Sequence, residues 1–404
     1  MSAPWKTDKW WVSPLNFLEE VRGHVNLPEK VVFHDITLRD GEQQAGIVFT
    51  REDKVLVARL LDEVGVQRIE AGMPAVSDED KAAVEEIANS GLRAEVYCFA
   101  RCMKRDVELA YECGVDGVVM EIPASDHIIE SAYKWPLEKA IQLPVEATRY
   151  AYEKGLKVTF FTIDSTRADL NWWFKIIETV AEQGHMDALV VVDTFGVCTP
   201  EAIKYFVGKA KERMDKPIEI HCHNDFGLAA INTIAGLSAG AEVAHTTVNA
   251  IGERIGNAAF EEVALILEVL YGKRLGLKYE KLYELSKTVE KLSKVSMPPH
   301  KPIVGDGAFK VESGIVASWL LEVLDSNPMV LFPFHWTLVG QPPPQIVLGK
   351  KSGKDSIAYK LKQMNIPFSD EAALKILMDV KLESIRLKRP LNDEEFQTII
   401  KRHL

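Results

Sequence analysis

Hydrophobic and polar positions alternate in a recurring unit from residue 31 onward: a short β-rich apolar run, a loop, a helical stretch, then often a glycine and the next run. The runs predicted as strands are Val31–Thr37, Arg68–Gly72, Ala94–Phe99, Gly117–Ile122, Lys157–Thr162, Ala188–Asp193, Pro217–His221 and Glu242–Val248. Several are almost continuously apolar, as strands covered on both faces are. The stretches between them carry helix-end chemistry. Thr50 is placed to cap a helix with Leu56, Leu60, Leu61 and Val64 on one face, stopped by Gly65. Thr199-Pro200-Glu201 joins a cap, a proline at the first helical position and an acid in the first turn. Eight strands alternating with helices over about 245 residues predict a (β/α)8 TIM barrel, an α/β fold. A doubly wound open sheet is the rival, and it calls for a Gly-rich phosphate turn after the first strand that this chain lacks.

The pattern changes on either side. Residues 1–29 hold Trp5, Trp10 and Trp11, then an amphipathic stretch from Ser13 to Gly23, and read as an arm packed on the main body or on a partner subunit. The barrel is expected over residues 30–275. Residues 276–404 are expected to form a smaller, mainly helical region: a helix over Leu282–Ser296, a Pro-marked linker, an irregular stretch over Gly305–Lys354, and helices over Asp355–Met364, Ser369–Arg386 and Asn392–His403. Residues 300–350 look too irregular to hold a core of their own. Gly349–Gly353 reads either as an anion site, for a CoA phosphate for example, or as a turn capping the next helix.

Composition narrows the function classes. The chain has 404 residues, is 47% hydrophobic and 26% charged, and carries a formal net charge of −11 with no Lys/Arg cluster. Nucleic acid and anionic membranes are therefore not expected partners. No apolar run approaches the ~20 residues of a membrane span, and the N-terminus has no signal-peptide core. Five cysteines without a CxxC pair read as reduced thiols of a cytoplasmic protein.

Candidate chemistry gathers at strand ends. His221 and His223 close the seventh run two residues apart, so both face one side of a strand. That suits two ligands of one divalent metal, or a polar strand cap. In a barrel the active site lies at the C-terminal ends of the strands. The first run ends in Thr37-Leu-Arg-Asp-Gly-Glu-Gln43, and the eighth leads into Asn249-Ala-Ile-Gly-Glu-Arg-Ile-Gly-Asn257. A carboxylate, two imidazoles and an amide then make a mixed N/O site for Zn²⁺, Mn²⁺ or Fe²⁺, or less naturally Mg²⁺.

These segments, with Asp35-Ile-Thr-Leu-Arg-Asp-Gly-Glu-Gln43, Ile69-Glu-Ala-Gly-Met-Pro74, Asp193-Thr-Phe-Gly-Val-Cys-Thr-Pro200 and His221-Cys-His-Asn-Asp-Phe-Gly-Leu228, resemble the acyl-transferase branch of the DRE-TIM metallolyases. That branch contains the 2-isopropylmalate, homocitrate and citramalate synthases. The resemblance covers residues 31–270 and continues more weakly to about residue 364, and no feedback site of a leucine-type regulatory domain is expected. It implies Asp40, His221 and His223 as metal ligands with Asn257 in or next to the shell. It places Arg39 against the substrate carbonyl oxygen and Glu70 behind Arg39. Gln43 and Thr194 would contact a 2-oxo acid, or merely close the loop after the first strand and cap the sixth. It also implies an acyl-CoA co-substrate, usually acetyl-CoA, a Claisen-type condensation, and a homodimer. A metal-dependent carbon–carbon lyase of the HMG-CoA lyase type is the alternative on the same scaffold.

Three departures qualify this expectation. The family's two histidines in the segment Ala308–Val316 are Val311 and Val316 here, and valine moves no proton. Glu312, His300 and His335 are the alternatives the region offers as the base. In the fifth run, Phe161 and Ile163 replace a serine and an acid. Phe99 and Thr159 stand where homocitrate synthases place the histidine and arginine that hold the far carboxylate of 2-oxoglutarate. The substrate pocket is therefore expected to be apolar or small at its far side.

Overall fold

The computed structural model describes residues 3–23 and 25–404. Eight parallel strands close into a barrel in sequence order: β1 (Val32–Asp35), β2 (Arg68–Glu70), β3 (Glu95–Arg101), β4 (Gly117–Pro123), β5 (Lys157–Ile163), β6 (Ala188–Asp193), β7 (Ile218–Cys222) and β8 (Val243–Thr246). Closure is made by β1 on β8, with Val32 opposite Val243 and Asp35 opposite Thr246. The TIM-barrel expectation holds, and each of the eight predicted runs overlaps a strand. Predicted helix ends also hold. Thr50 forms a capping box with Asp53 at the start of Arg51–Val64, which ends on left-handed Gly65. The Thr199 side chain accepts from the Ala202 amide, with Pro200 in the first turn. Outside the strands, Trp173 on the helix Leu170–Gln183 is fully buried and meets Phe206 of the next helix at 4.4 Å between ring centroids.

Compactness divides the described chain into two units: residues up to Ser13 with Pro298–Leu404, and Pro14–Met297. In the first unit the start of the chain pairs with its end. Trp10 bridges Phe334, and the His335 amide donates to the Lys9 carbonyl at 2.8 Å. The helices Lys354–Gln363, Asp370–Leu387 and Asp393–Ile400 share one apolar core, with Ile357, Ile376, Val380 and Ile399 at its centre. Contrary to the expectation from sequence, residues 300–350 do build a core. Two short parallel strands, β9 (Lys310–Val311) and β10 (Gln345–Ile346), and the helix Gly314–Val323 enclose Phe309, Val311, Leu320, Phe332 and Ile346. That helix escapes sequence reading because Gly-Ile-Val-Ala-Ser-Trp-Leu-Leu is apolar on every side and its first residue is glycine. The predicted amphipathic stretch from Ser13 to Gly23 is a 3-10 turn, Pro14–Phe17, followed by a single helical turn, Glu19–Arg22. Among the described residues no helix is long and apolar enough to cross a membrane.

The barrel interior is two-sided. Between β3 and β6 it is mostly apolar, filled by Tyr97, Phe99, Val119, Phe161, Val190 and Val192, with Glu121 and Thr159 as its polar members. Around β7, β8, β1 and β2 it is polar, which is unusual for this architecture, whose inner layers are mostly branched aliphatic. Glu219 accepts from Arg68 at 2.6 Å and lies 2.7 Å from His245, and His34 stands 3.9 Å from the same carboxylate and 3.7 Å from Glu70.

Candidate metal centre

Asp40, His221 and His223 meet at the C-terminal mouth of the barrel. His221 is the penultimate residue of β7 and His223 follows the strand, so the pleat turns both rings inward. Asp40 arrives from the turn after β1, where Gly41–Gln43 forms a 3-10 helix. The Nε2 atoms of the two histidines are 3.1 Å apart, and Asp40 Oδ2 lies 3.5 Å and 3.7 Å from them. A point equidistant from three atoms so spaced lies about 2 Å from each, the bond length of a divalent metal to N and O donors.

Electrostatics prepare the donors. Burial lowers the pKa of both histidines, His221 most strongly, so their rings are neutral and carry free lone pairs. For Asp40, burial raises the carboxyl, but the Arg39 guanidinium, His223 and the Glu253 amide outweigh it and hold the group ionised, below its ordinary value. Asn257 is buried beside the donors, bridging His223 through its backbone, and its Oδ1 has no hydrogen-bond partner. A buried acceptor left so costs about 1–3 kcal/mol. A cation in the cage answers that deficit, so these residues fit a divalent metal.

The loop that delivers Asn257 is strained and clamped. Asn249, Ala250 and Arg254 are left-handed without being glycine, each at a cost of about 1–2 kcal/mol. The strain is held by the Asn249 side chain on the Ser286 carbonyl and by the two-pronged Arg254–Asp225 pair, both contacts at 2.9 Å. Gly252 is required there, because a Cβ would stand 2.1 Å from Asn257 Nδ2.

Arg39 completes the arrangement. Its Nε reaches Glu70 at 2.5 Å, its Nη1 reaches Gln43 at 3.1 Å and Asp40 at 3.3 Å, and its plane lies over Phe99 at 4.9 Å. Glu70 is thus seated behind Arg39, and Gln43 orients it from the rim. Thr194 stands at the end of β6 with its Oγ1 accepting from the Asp164 amide at 2.8 Å, which leaves its hydroxyl proton for a ligand. Thr159 does not join the group. It is buried one inward-facing layer below Phe161, beside Val119 and Ala188. A cavity of about 340 Å³ opens beside Arg39, walled by Leu38, Ile47, Met73, Val76 and Phe99. Its lysine, Lys54, is neutralised by Glu42 and Asp80, each at 2.6 Å.

The alternative proton acceptors of the C-terminal unit have local duties. Glu312 accepts from the Lys351 amide at 3.1 Å, and His335 stacks on Trp336 with its Nδ1 2.8 Å from Thr337. Val311 and Val316 belong to an apolar cluster. His300 lines a cavity with Pro299 and Phe334. His34, Glu219 and His245 form a second set of converging donors below the first. There the Arg68 guanidinium already neutralises the carboxylate, so the set is an internal charge network, not an open cation site. Sequence reading missed this column, the Arg254–Asp225 clamp and Glu121. The only prior sign of Glu121 was one acid inside the apolar run of β4.

A parallel eight-stranded barrel with one carboxylate and two imidazoles converging at its C-terminal mouth defines the class. Residues 30–289 match the HMGL-like family, and the chain belongs to it. A probable 2-isopropylmalate synthase of Ignicoccus hospitalis is 44% identical over 360 residues, 88% of each chain. A homocitrate synthase of Methanopyrus kandleri is 39% identical over 385 residues, 95% of each chain. Among solved structures, the HMG-CoA lyase of Bacillus subtilis superposes with a TM-score of 0.61 at 20% identity, covering 68% of this chain and 97% of that one, a likeness of fold.

Proposed function

We propose that the protein is a metal-dependent enzyme that condenses an acyl-CoA, acetyl-CoA first among them, with a 2-oxo acid to give a 2-hydroxy-2-alkyl dicarboxylic acid, and that it works as a homodimer. The observation that carries this reading is the Asp40–His221–His223 cage with the Arg39 guanidinium beside it, in a chain whose relatives include isopropylmalate and homocitrate synthases.

Asp40, His221, His223 and Asn257 would hold one divalent ion, Zn²⁺, Mn²⁺ or Mg²⁺, which when bound supplies Lewis acidity to the ketone. Arg39 presents a fixed positive charge where alkoxide charge develops, and fixed charges of this kind need no reorganisation during reaction. Glu70 keeps the guanidinium from swinging away. Gln43 and the Thr194 hydroxyl would bind the carboxylate end of the oxo acid. The apolar wall of Phe99 and Met73, with Lys54 already neutralised, favours a substrate without a second carboxylate; 2-oxoglutarate would bury an unpaired charge.

The test is purified protein loaded with metal, a panel of 2-oxo acids and acetyl-CoA, followed by free thiol. Thiol release that depends on the oxo acid supports the reading. No thiol release, with acetyl-CoA or pyruvate freed from a hydroxy acid, replaces it with the lyase reading.

A further inference from the structure

The condensation leaves one role unfilled: a group to take the proton from the acyl methyl, in a chain with valines at 311 and 316. One carboxylate in the barrel mouth has no assigned partner. Glu121 lies on β4 two residues beyond Val119, whose side chain is in the barrel interior, so it too points inward. Across the sheet it neighbours Arg101 on β3 and Phe161 on β5. The Phe161 ring contacts His221 edge-on, with centroids 5.0 Å apart, and the Arg39 guanidinium lies 6.0 Å from its centre. Glu121 is therefore one strand away from the aromatic wall of the metal cage.

The other inward carboxylates at this end are engaged. Glu70 is held by Arg39, Asp40 faces Arg39 and the histidines, and Glu219 is held by Arg68 and His245. Among the described residues the Glu121 side-chain carboxylate makes no hydrogen bond or ion pair; only its backbone is bonded. It opens onto a cavity of about 400 Å³ whose other walls include Cys102, Met103, Tyr133, Trp135 and Leu143. A chamber of that size, with apolar walls from Met103, Ile122, Trp135 and Leu143 and with Arg101 and Lys139 also in its lining, has room for the acyl end of a thioester. The remaining titratable groups of the chamber do not compete. The Cys102 thiol is pushed far up by burial and donates to the Glu121 carbonyl at 3.3 Å, Tyr133 is also raised by burial, Arg101 is tied to Asp106, and Lys139 at the chamber wall lies over the Trp135 ring, its Nζ 4.4 Å from the centroid. Burial lifts the Glu121 carboxyl to about 7, against the pull of Arg39 and with the push of Asp40 and Glu70, which is the range a general base near neutral pH needs.

We propose that Glu121 is the general base of the condensation, an inference that rests on the activity proposed above. Its carboxylate takes a proton from the methyl of the acyl thioester. The C–H electron pair becomes the new C–C bond to the ketone carbon, the ketone π pair moves onto the oxygen that faces Arg39, and that alkoxide takes up one proton to become the hydroxyl, while Glu121 gives its proton back to solvent. Water then attacks the thioester carbonyl, the C–S bond breaks, and the thiol leaves with a proton while a carboxylate remains.

The experiment compares wild type, Glu121→Gln and Glu121→Asp, each loaded with metal, using acetyl-CoA and trideuteromethyl acetyl-CoA. Glu121→Gln is expected to lower kcat about 10³-fold, within the range of general-base catalysis, with metal content and the affinity for the 2-oxo acid unchanged. Glu121→Asp is expected to lower kcat by about tenfold or more and to raise the primary deuterium isotope effect above wild type, a change that a structural role does not produce. Glu121→Gln turning over within about tenfold of wild type, or Glu121→Asp with the wild-type rate and isotope effect, overturns the assignment and leaves the condensation standing. Wild type that releases no thiol with any 2-oxo acid overturns both.

Discussion

Replacing Glu70 with glutamine removes the charge that holds Arg39, and the structure sets the size of the effect. Glu70 is fully buried, Arg39 is 7% exposed, and their closest atoms are 2.5 Å apart. Breaking a buried pair by removing one partner costs about 3–5 kcal/mol, mostly from the charge left behind. Here the stranded guanidinium keeps Asp40 at 3.3 Å and Gln43 at 3.1 Å, so the lower end applies, about 3 kcal/mol. The double replacement R39M/E70Q leaves no stranded charge and should recover most of that loss, giving a coupling of about 2 kcal/mol or more. Urea denaturation followed by far-UV circular dichroism measures wild type, R39M, E70Q and R39M/E70Q. In the turnover assay, Glu70→Gln should lose about 10²–10³ in kcat, the size seen when one preorganised charge-stabilising group is lost. A stability loss under about 1 kcal/mol with no coupling would refute the claim that this pair carries the orientation of Arg39.

Other expectations follow from the same geometry. One metal ion per chain should bind by metal analysis, and His221→Ala, His223→Ala and Asp40→Asn should each abolish it, while His34→Phe, one layer below, should leave it at one. Gly252→Ala drives a Cβ into Asn257 and should weaken metal affinity about 10- to 100-fold, as loss of support to a metal shell does; unchanged affinity in a metal titration would contradict the role given to that loop. With the metal removed, Glu121 binds its proton more tightly folded than unfolded, so its contribution to stability is full below about pH 4.5 and fades as pH rises to about 7. Glu121→Gln does not titrate, so its stability should gain on wild type by about 2 kcal/mol across that interval, after allowing for the partial exposure of the carboxyl; parallel pH profiles would contradict this. In the substrate panel, oxo acids with small or apolar side chains should outrun 2-oxoglutarate in kcat/KM.

Much of the barrel was legible because a strand buried on both faces leaves a continuous apolar run, and each predicted run contains the observed strand or lies within a few residues of its ends. The convergence of Asp40, His221 and His223 was legible because the two histidines sit at the strand period and Asp40 follows another strand. What stayed hidden depends on pairing. His34, Arg68, Glu219 and His245 each look like an isolated polar residue in an apolar run, and only the closure of β1 on β8 and the packing of β2 and β7 around the interior bring them together. Glu121 was visible as one acid in Gly-Val-Val-Met-Glu-Ile-Pro, but its lack of a partner is a three-dimensional fact. Thr159 stands on the expected strand, one inward-facing layer below Phe161.

The central claim is that Asp40, His221 and His223 hold a metal on which a 2-oxo acid binds beside Arg39. Loading the protein with Co²⁺ and recording its visible absorption tests this directly. One equivalent per chain should produce a d–d band, absent in His223→Ala, that shifts when a 2-oxo acid is added and shifts less in Arg39→Met. A band that persists in His223→Ala, or one that no 2-oxo acid moves, would contradict it.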